Sequence, residues 1–244
     1  MNFKLDGFNF IDKAAEQLYN LASYLHKNPE IALKEHKAHD YICSFLEKNG
    51  FKTERNFILE TGFLATYETA PKPHFAILVE MDALPDIGHA CGHNLIAECS
   101  VAAGLGLMEI MKMHNLKGKV QISNKNPTFE NLISNKFLIK IFEENAKILE
   151  IPLDKDNGLS DGSSDIGNVS HVCPSLQPLF YIGTNFDTHT KEYAIETGKR
   201  EAQKYVLTQA KCIVGTLTDI LCDSSGHYVA EIKRQFKKDL VLYS

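Results

Sequence analysis

A short strand-forming run, a polar loop and then the most apolar stretch of the chain constrain this sequence more than any other feature. Residues 75–81 (FAILVEM) are rich in β-formers and apolar enough to predict a strand in the middle of a sheet covered on both faces. Leu95 to Met113 follows, with Ala102, Ala103, Gly104 and Gly106 letting a neighbouring element approach its backbone. It contains Glu98 and Glu109, and crossing a membrane would bury both in lipid. The stretch therefore reads as a buried helix lying on a sheet.

Other segments extend the pattern. Apolar residues at three- and four-residue steps from Ile11 to Leu25 predict an amphipathic helix, stopped by Asn28-Pro29. A second helix is expected from about Glu35 to Lys48, closed by Asn49-Gly50, and strands at 62–69 and from Gly118 to Ile122. At Ser123 to Thr128 a polar, Pro-containing stretch leads straight into a helical pattern over Phe129 to Leu149. A turn-rich loop from Gly158 to Asn168, a strand near Leu176 to Gly183, a long helix from Lys191 to Leu221 and a last helix after Ser225 complete the chain. Strands interleaved with helices predict an α/β architecture with helices on both faces of the sheet.

The chain has 244 residues, 44% hydrophobic and 23% charged, the make-up of an ordinary globular protein. With 26 Lys plus Arg against 31 Asp plus Glu, the net charge is −5. That argues against nucleic acid, whose binding needs a clustered basic excess, and no membrane role is expected. The six cysteines lie far apart in a chain too long to be a disulfide scaffold, which points to a reducing compartment. Met1 to Phe10 has no apolar core of a signal peptide. The expected location is cytoplasmic.

Chemistry concentrates in His89-Ala90-Cys91-Gly92-His93-Asn94, between the buried strand and the apolar helix, where α/β sheets place their ligands. In an extended segment Cys91 and His93 can turn the same way and offer a thiolate and an imidazole to one transition metal; the alternative is an inert Gly-rich turn. Asp82, at the strand end, either accepts the free ring N–H of a metal-bound histidine or caps the turn at Pro85. Residues Gly162 to His171 read as a substrate-lining loop or a plain turn. His189 stands at a helix entry, with Thr188 or Thr190 as N-cap.

Together and in this order, His26-x-x-Pro29-Glu30, Glu80-Met81-Asp82-Ala83-Leu84-Pro85, the box at 89–94, Ser164 to His171 and His189-Thr190-Lys191-Glu192-Tyr193 resemble metallopeptidase family 20. The wording of the box is most similar to its amidohydrolase branch and to the Xaa-Arg dipeptidase group. The resemblance implies a zinc-exopeptidase-like catalytic domain, a three-layer sandwich with helices on both faces of a central mixed sheet. It implies a two-metal hydrolase using zinc, manganese or cobalt, with Cys91, His93 and His189 as ligands and Asp82 orienting the site. Ser164, Asp165, Asn168, Ser170 and His171 would contact the substrate, a small dipeptide or N-acyl amino acid, while His26, Pro29 and Glu30 would be structural.

The chain departs from the family at one place. The strand beginning as GKVQI should lead to an adjacent glutamate pair, general base and ligand, then to a further histidine ligand and an inserted lid domain that mediates dimerisation. Here Ile122 is followed directly by Ser123-Asn124-Lys125-Asn126. The expectation is one catalytic domain made of halves 1–122 and 123–244, joined near 122–126, with the lid absent, one metal or none, and no dimer. A strand cut short at Ile122 also predicts an open sheet edge. The adjacent pair present, Glu143-Glu144, reads as the solvated face of a helix. Two functions remain: an impaired metallo-dipeptidase or amidohydrolase, and a non-catalytic shortened relative that binds a ligand or partner.

Overall fold

The computed structural model describes residues 3–70, 72–123, 130–153 and 164–243. The chain divides into two compact units, Met1–Asn124 with Phe180–Val214, and Lys125–Leu179 with Gly215–Ser244. Most of the junction expected near 122–126 lies outside the described residues.

The first unit holds a four-stranded mixed sheet flanked by helices, an α/β arrangement as expected. Its strands are β1 (Lys52–Arg55), β2 (Phe63–Glu68), β3 (His74–Leu78) and β4 (Lys119–Ser123), in spatial order β1-β2-β4-β3. β2 is antiparallel to both β1 and β4, and β3 runs parallel to β4. The register sets Ala65 opposite Ile122 and Ile122 opposite Ile77, so these side chains share one face. Helix α2 (His36–Lys48) meets that face through the edge-on ring pair of His39 and Phe63. Helix α3 (His93–Met113) lies on Ile122 at Gly104, where a Cβ would fall 2.4 Å from the isoleucine Cδ1. α3 is the one described helix long and apolar enough to cross a membrane, but 89% of that window is buried inside the protein, as in a core helix.

Helix α1 (Phe3–Lys27) packs along α3. A Cβ at Gly7 would meet Ile110 Cδ1 at 2.6 Å and the Gly106 carbonyl at 3.0 Å, so the absence of side chains lets the two backbones approach. Helix α6 (Lys191–Thr197), a 3-10 turn at Arg200–Ala202 and the first part of α7 (Gln203–Cys222) complete this unit.

In the second unit Asn135 caps α4 (Lys136–Ile148), accepting from the N–H groups of Phe137 and Leu138 at 3.2 and 3.0 Å. Its amide donates to the Ile232 carbonyl at 3.0 Å, tying α4 to α8 (His227–Tyr243). A short helix, α5, spans Ile166–Ser170. Glu143 and Glu144 are exposed on α4, matching the solvated face read from the sequence.

Four expectations change. The run at 75–81 forms a strand only to Leu78, and β3 is an edge of the described sheet rather than its middle. β4 is not an open edge, because β2 and β3 pair with it on both sides. No strand forms among residues 176–183, where Pro178 removes a ladder donor. The long helix expected from Lys191 breaks at Gly198, where a Cβ would fall 2.4 Å from the His26 ring.

Candidate functional site

The site is built where the chain leaves β3. Val79 and Met81 are buried in the core, and the alternate residues Glu80 and Asp82 turn the other way, half-buried. The Ser100 hydroxyl of α3 donates to the Leu78 carbonyl at 2.8 Å, and Ala83 N–H donates to the Glu30 carbonyl at 2.7 Å, which fixes both sides of this segment. The Glu30 carboxylate accepts from Lys37 and Ala38 N–H at the start of α2. A turn closed by Leu84 and Gly88 then delivers the His89–Asn94 box. Gly92 stands at φ +83°, a left-handed value that glycine tolerates, and precedes α3.

His93, in the first turn of α3, has both ring nitrogens engaged. Nδ1 lies 2.9 Å from Asp82 Oδ1, and Nε2 lies 3.1 Å from Glu80 Oε2. Burial opposes a charged imidazole, but the hydrogen bonds and charges of Asp82 and Glu80 outweigh it and raise the His93 pKa to about 10. Burial pushes the Asp82 carboxyl up, and the His93 bond and charge overcome this and hold it below the usual range. Asp82 and His93 are thus paired through Oδ1 and Nδ1.

Cys91 is half-buried; burial first, and the Asp82 and Glu80 charges next, raise its thiol to about 11. It is therefore a protonated thiol at neutral pH. With alkylation mapped by mass spectrometry at pH 7, exposed Cys173 is expected to react at least about tenfold faster than Cys91. Equal rates at the two cysteines would contradict the raised thiol of Cys91.

His189 is brought to the box by its backbone, donating its N–H to the Ala90 carbonyl at 2.9 Å with φ at +66°. Thr190 is the N-cap of α6, accepting from Tyr193 N–H at 3.1 Å. The Asn94 amide donates to the Thr197 carbonyl at 2.8 Å, and Thr197 donates to the His89 carbonyl at 3.2 Å, locking α6 to the box. His89 faces the Leu25 carbonyl through Nε2 at 3.1 Å, and burial lowers its pKa to about 4. Tyr193 sits over Gly92, with its hydroxyl 3.5 Å from where a glycine Cβ would be.

The donor types suit a transition metal, but their placement does not form a cage. Among the described residues no three His, Cys, Asp or Glu side chains are arranged to hold an ion. Glu80 occupies the His93 nitrogen that Asp82 leaves open.

The loop expected to contact substrate lies in the second unit, and its residues Gly162 and Ser163 fall outside the described ones. Asn168 Oδ1 accepts from Glu130 N–H at 3.2 Å, Ser170 Oγ accepts from Ile133 N–H at 2.9 Å, and His171 Nε2 lies 3.0 Å from the Asn131 carbonyl. Those three side chains hold their own unit together. Ser164 and Asp165 lead into α5, with Asp165 at its N-cap position.

Sequence reasoning missed two members of the site, Glu80 and Tyr193. The signal for Glu80 was its two-residue step from Asp82, which places both carboxylates on one side of an extended segment.

No family model matches the chain. It is 24% identical to the human Xaa-Arg dipeptidase, with 89% of this chain and 88% of that protein covered. It is 29% identical to one component of the Escherichia coli p-aminobenzoyl-glutamate hydrolase, over 47% of this chain and 28% of that protein. Among solved structures, the Bacillus subtilis YxeP protein, described as a dinuclear metal-binding peptidase from the M20 family, matches at 24% identity and a TM-score of 0.40. That match covers 57% of this chain, which spans only 40% of the YxeP chain. The chain is thus similar to proteins named as dipeptidases and amide hydrolases. The matches that extend over most of its length include the Xaa-Arg dipeptidases of human and mouse.

Proposed function

We propose that this chain is a dipeptidase or amidohydrolase of the family 20 type, acting on an amide next to an amino-acid carboxylate, with catalysis impaired by the loss of its general base. The observation that carries the reading is the Asp82–His93 pair set inside the Cys91-Gly92-His93 box at the strand end. The relatives over the chain's whole length are named Xaa-Arg dipeptidases, which supports dipeptides with a basic C-terminal residue as the substrates to try first. N-acyl amino acids come next.

The metal would be zinc, manganese or cobalt, with Cys91, His93 and His189 as its ligands. Asp82 fixes the His93 ring, and α6 holds His189 beside the box. Ser164, Asp165, Asn168, Ser170 and His171 are proposed to contact substrate. The alignment to the human dipeptidase runs over 386 positions against 244 residues here, so at least 386 − 244 = 142 positions have no counterpart in this chain. A gap of that size is in keeping with a missing inserted lid, and a monomer in the cytoplasm is the expected state.

A second reading, a non-catalytic relative that binds a ligand or partner, is favoured by Glu80 on His93 Nε2 and by the exposure of Glu143 and Glu144, the one adjacent glutamate pair. Metal content per chain, measured after tag-free purification beside Cys91→Ala and His189→Ala, tests the first reading together with a dipeptide panel. One ion lost on either substitution, with hydrolysis above the Cys91→Ala background, is the expected result. A metal-free chain with no hydrolysis would leave the binding role.

A further inference from the structure

We infer that Glu80 is a competitor for the metal position, and that an ion reaches His93 only by breaking the Glu80–His93 ion pair. The inference rests on the metal reading above and concerns a residue that reading leaves without a task. Imidazole binds a metal through a nitrogen lone pair, and its other nitrogen is normally held by a carboxylate or carbonyl that fixes the tautomer. Here Asp82 takes Nδ1, both through Oδ1 at 2.9 Å and through its backbone carbonyl at 3.0 Å. Nε2 is then the only nitrogen left for an ion, and Glu80 Oε2 sits 3.1 Å from it.

The ring is thus held at both nitrogens, and the carboxylate of Glu80 stands where an ion would approach Nε2. The three side chains are only partly exposed, 18% for His93, 29% for Glu80 and 28% for Asp82, so water screens the pairs incompletely. Removing Glu80 frees Nε2 and leaves Val79 and Met81, which anchor this segment from the buried side, in place.

Cobalt(II) titration of the full chain tests this, read by the thiolate-to-cobalt absorption band of Cys91 and by competition with a chelating dye. The variants are Glu80→Ala, Glu80→Gln, Cys91→Ala and the Glu80→Ala/Cys91→Ala double substitution. Glu80→Ala and Glu80→Gln are expected to bind cobalt roughly tenfold or more tightly than the unsubstituted chain, the scale on which groups around a ligand act, and the double substitution is expected to lose the band. Affinity unchanged in both Glu80 variants, with a Cys91-dependent band in all, overturns the inference and leaves the metal reading standing. Weaker binding in the Glu80 variants also overturns it, because Glu80 would then be a ligand. No cobalt binding in any variant overturns both.

Discussion

Truncating Ile11 to alanine is expected to lower stability by about 2–5 kcal/mol in urea unfolding, the usual loss for an isoleucine deep in a core. Ile11 is completely buried in α1 and faces Gly106 of α3, where a Cβ would come within 3.0 Å of Ile11 Cδ1 and 2.9 Å of Val214 Cγ2. The bare backbone of Gly106 is what the isoleucine covers, so nothing from α3 can collapse into the space it vacates. The neighbouring contact at Gly7 holds the two helices at close range and limits relaxation. The same geometry predicts coupling. Gly106→Ala alone must push aside the ends of Ile11 and Val214, whereas in the Ile11→Ala background only the Val214 contact remains to be relieved. The two costs are therefore expected to sum to more than the cost of the double substitution, by about 0.5 kcal/mol or more. Strict additivity would mean that these residues do not share one packing layer.

Elements whose side chains repeat with the period of their structure were legible in the sequence: α1, α2, α3, β2 and β4 lie within a few residues of the expected positions, α1 starting earlier at Phe3. Elements that owe their form to something distant were not. β1 reads Lys52-Thr53-Glu54-Arg55, with no apolar alternation, and exists because β2 pairs with it and Arg55 bridges to Asp40 and Glu47 on α2. Position 198 looks like any glycine in a helical pattern, and the His26 ring from α1, which leaves no room there for a side chain, is invisible to local sequence. Pro178 is visible in the sequence, but the apolar run around it favours a strand more strongly than one missing donor opposes it.

The site divides in the same way. Local spacing showed that Cys91 and His93 share a box and that Asp82 precedes it, but left Asp82 between a histidine partner and a turn cap; the fold sets it 2.9 Å from His93 Nδ1. The distance between Glu80 and His93 depends on where α3 starts relative to the strand end, which the Leu78–Ser100 bond sets across 22 residues. Likewise His189 reaches Ala90 through a backbone bond made at a positive φ, and a non-glycine residue gives no local sign that it will adopt one. Resemblance located the parts, and geometry decided which of their atoms are already in use.

Glu98 is expected to make stability fall as pH rises from about 4.3 to 7, by about 4 kcal/mol at about 1.4 kcal/mol per pKa unit. It stands fully buried in α3, one carboxyl oxygen accepting from the Gln203 amide at 3.1 Å and the other, Oε2, without a hydrogen-bond partner. Burial raises its pKa to about 7, only partly offset by the Gln203 bond and the charge of Arg200, which also pairs with Glu16. The groups around it are thus Arg200 and Gln203, the neutral thiol of Cys99, whose pKa burial and the Glu98 charge raise, and Ala15 of α1, whose carbonyl accepts from the same Gln203 amide. The folded-state pKa lies above the unfolded value, so the native chain binds the extra proton between the two, and the stability this gives is complete below about 4.3 and gone above 7. His89 acts in the opposite sense, since its folded pKa of about 4 lies below the ordinary 6.5 and its contribution is lost as pH falls through that window. The two slopes overlap, so the total profile of the unsubstituted chain is not the readout. The difference from Glu98→Gln is: urea midpoints at pH 5, 6, 7 and 8 are expected to show the variant gaining on the unsubstituted chain up to about pH 7 and levelling towards pH 8. Parallel profiles across that range would mean that Glu98 ionises inside the folded protein without cost, through water or a cation reaching Oε2.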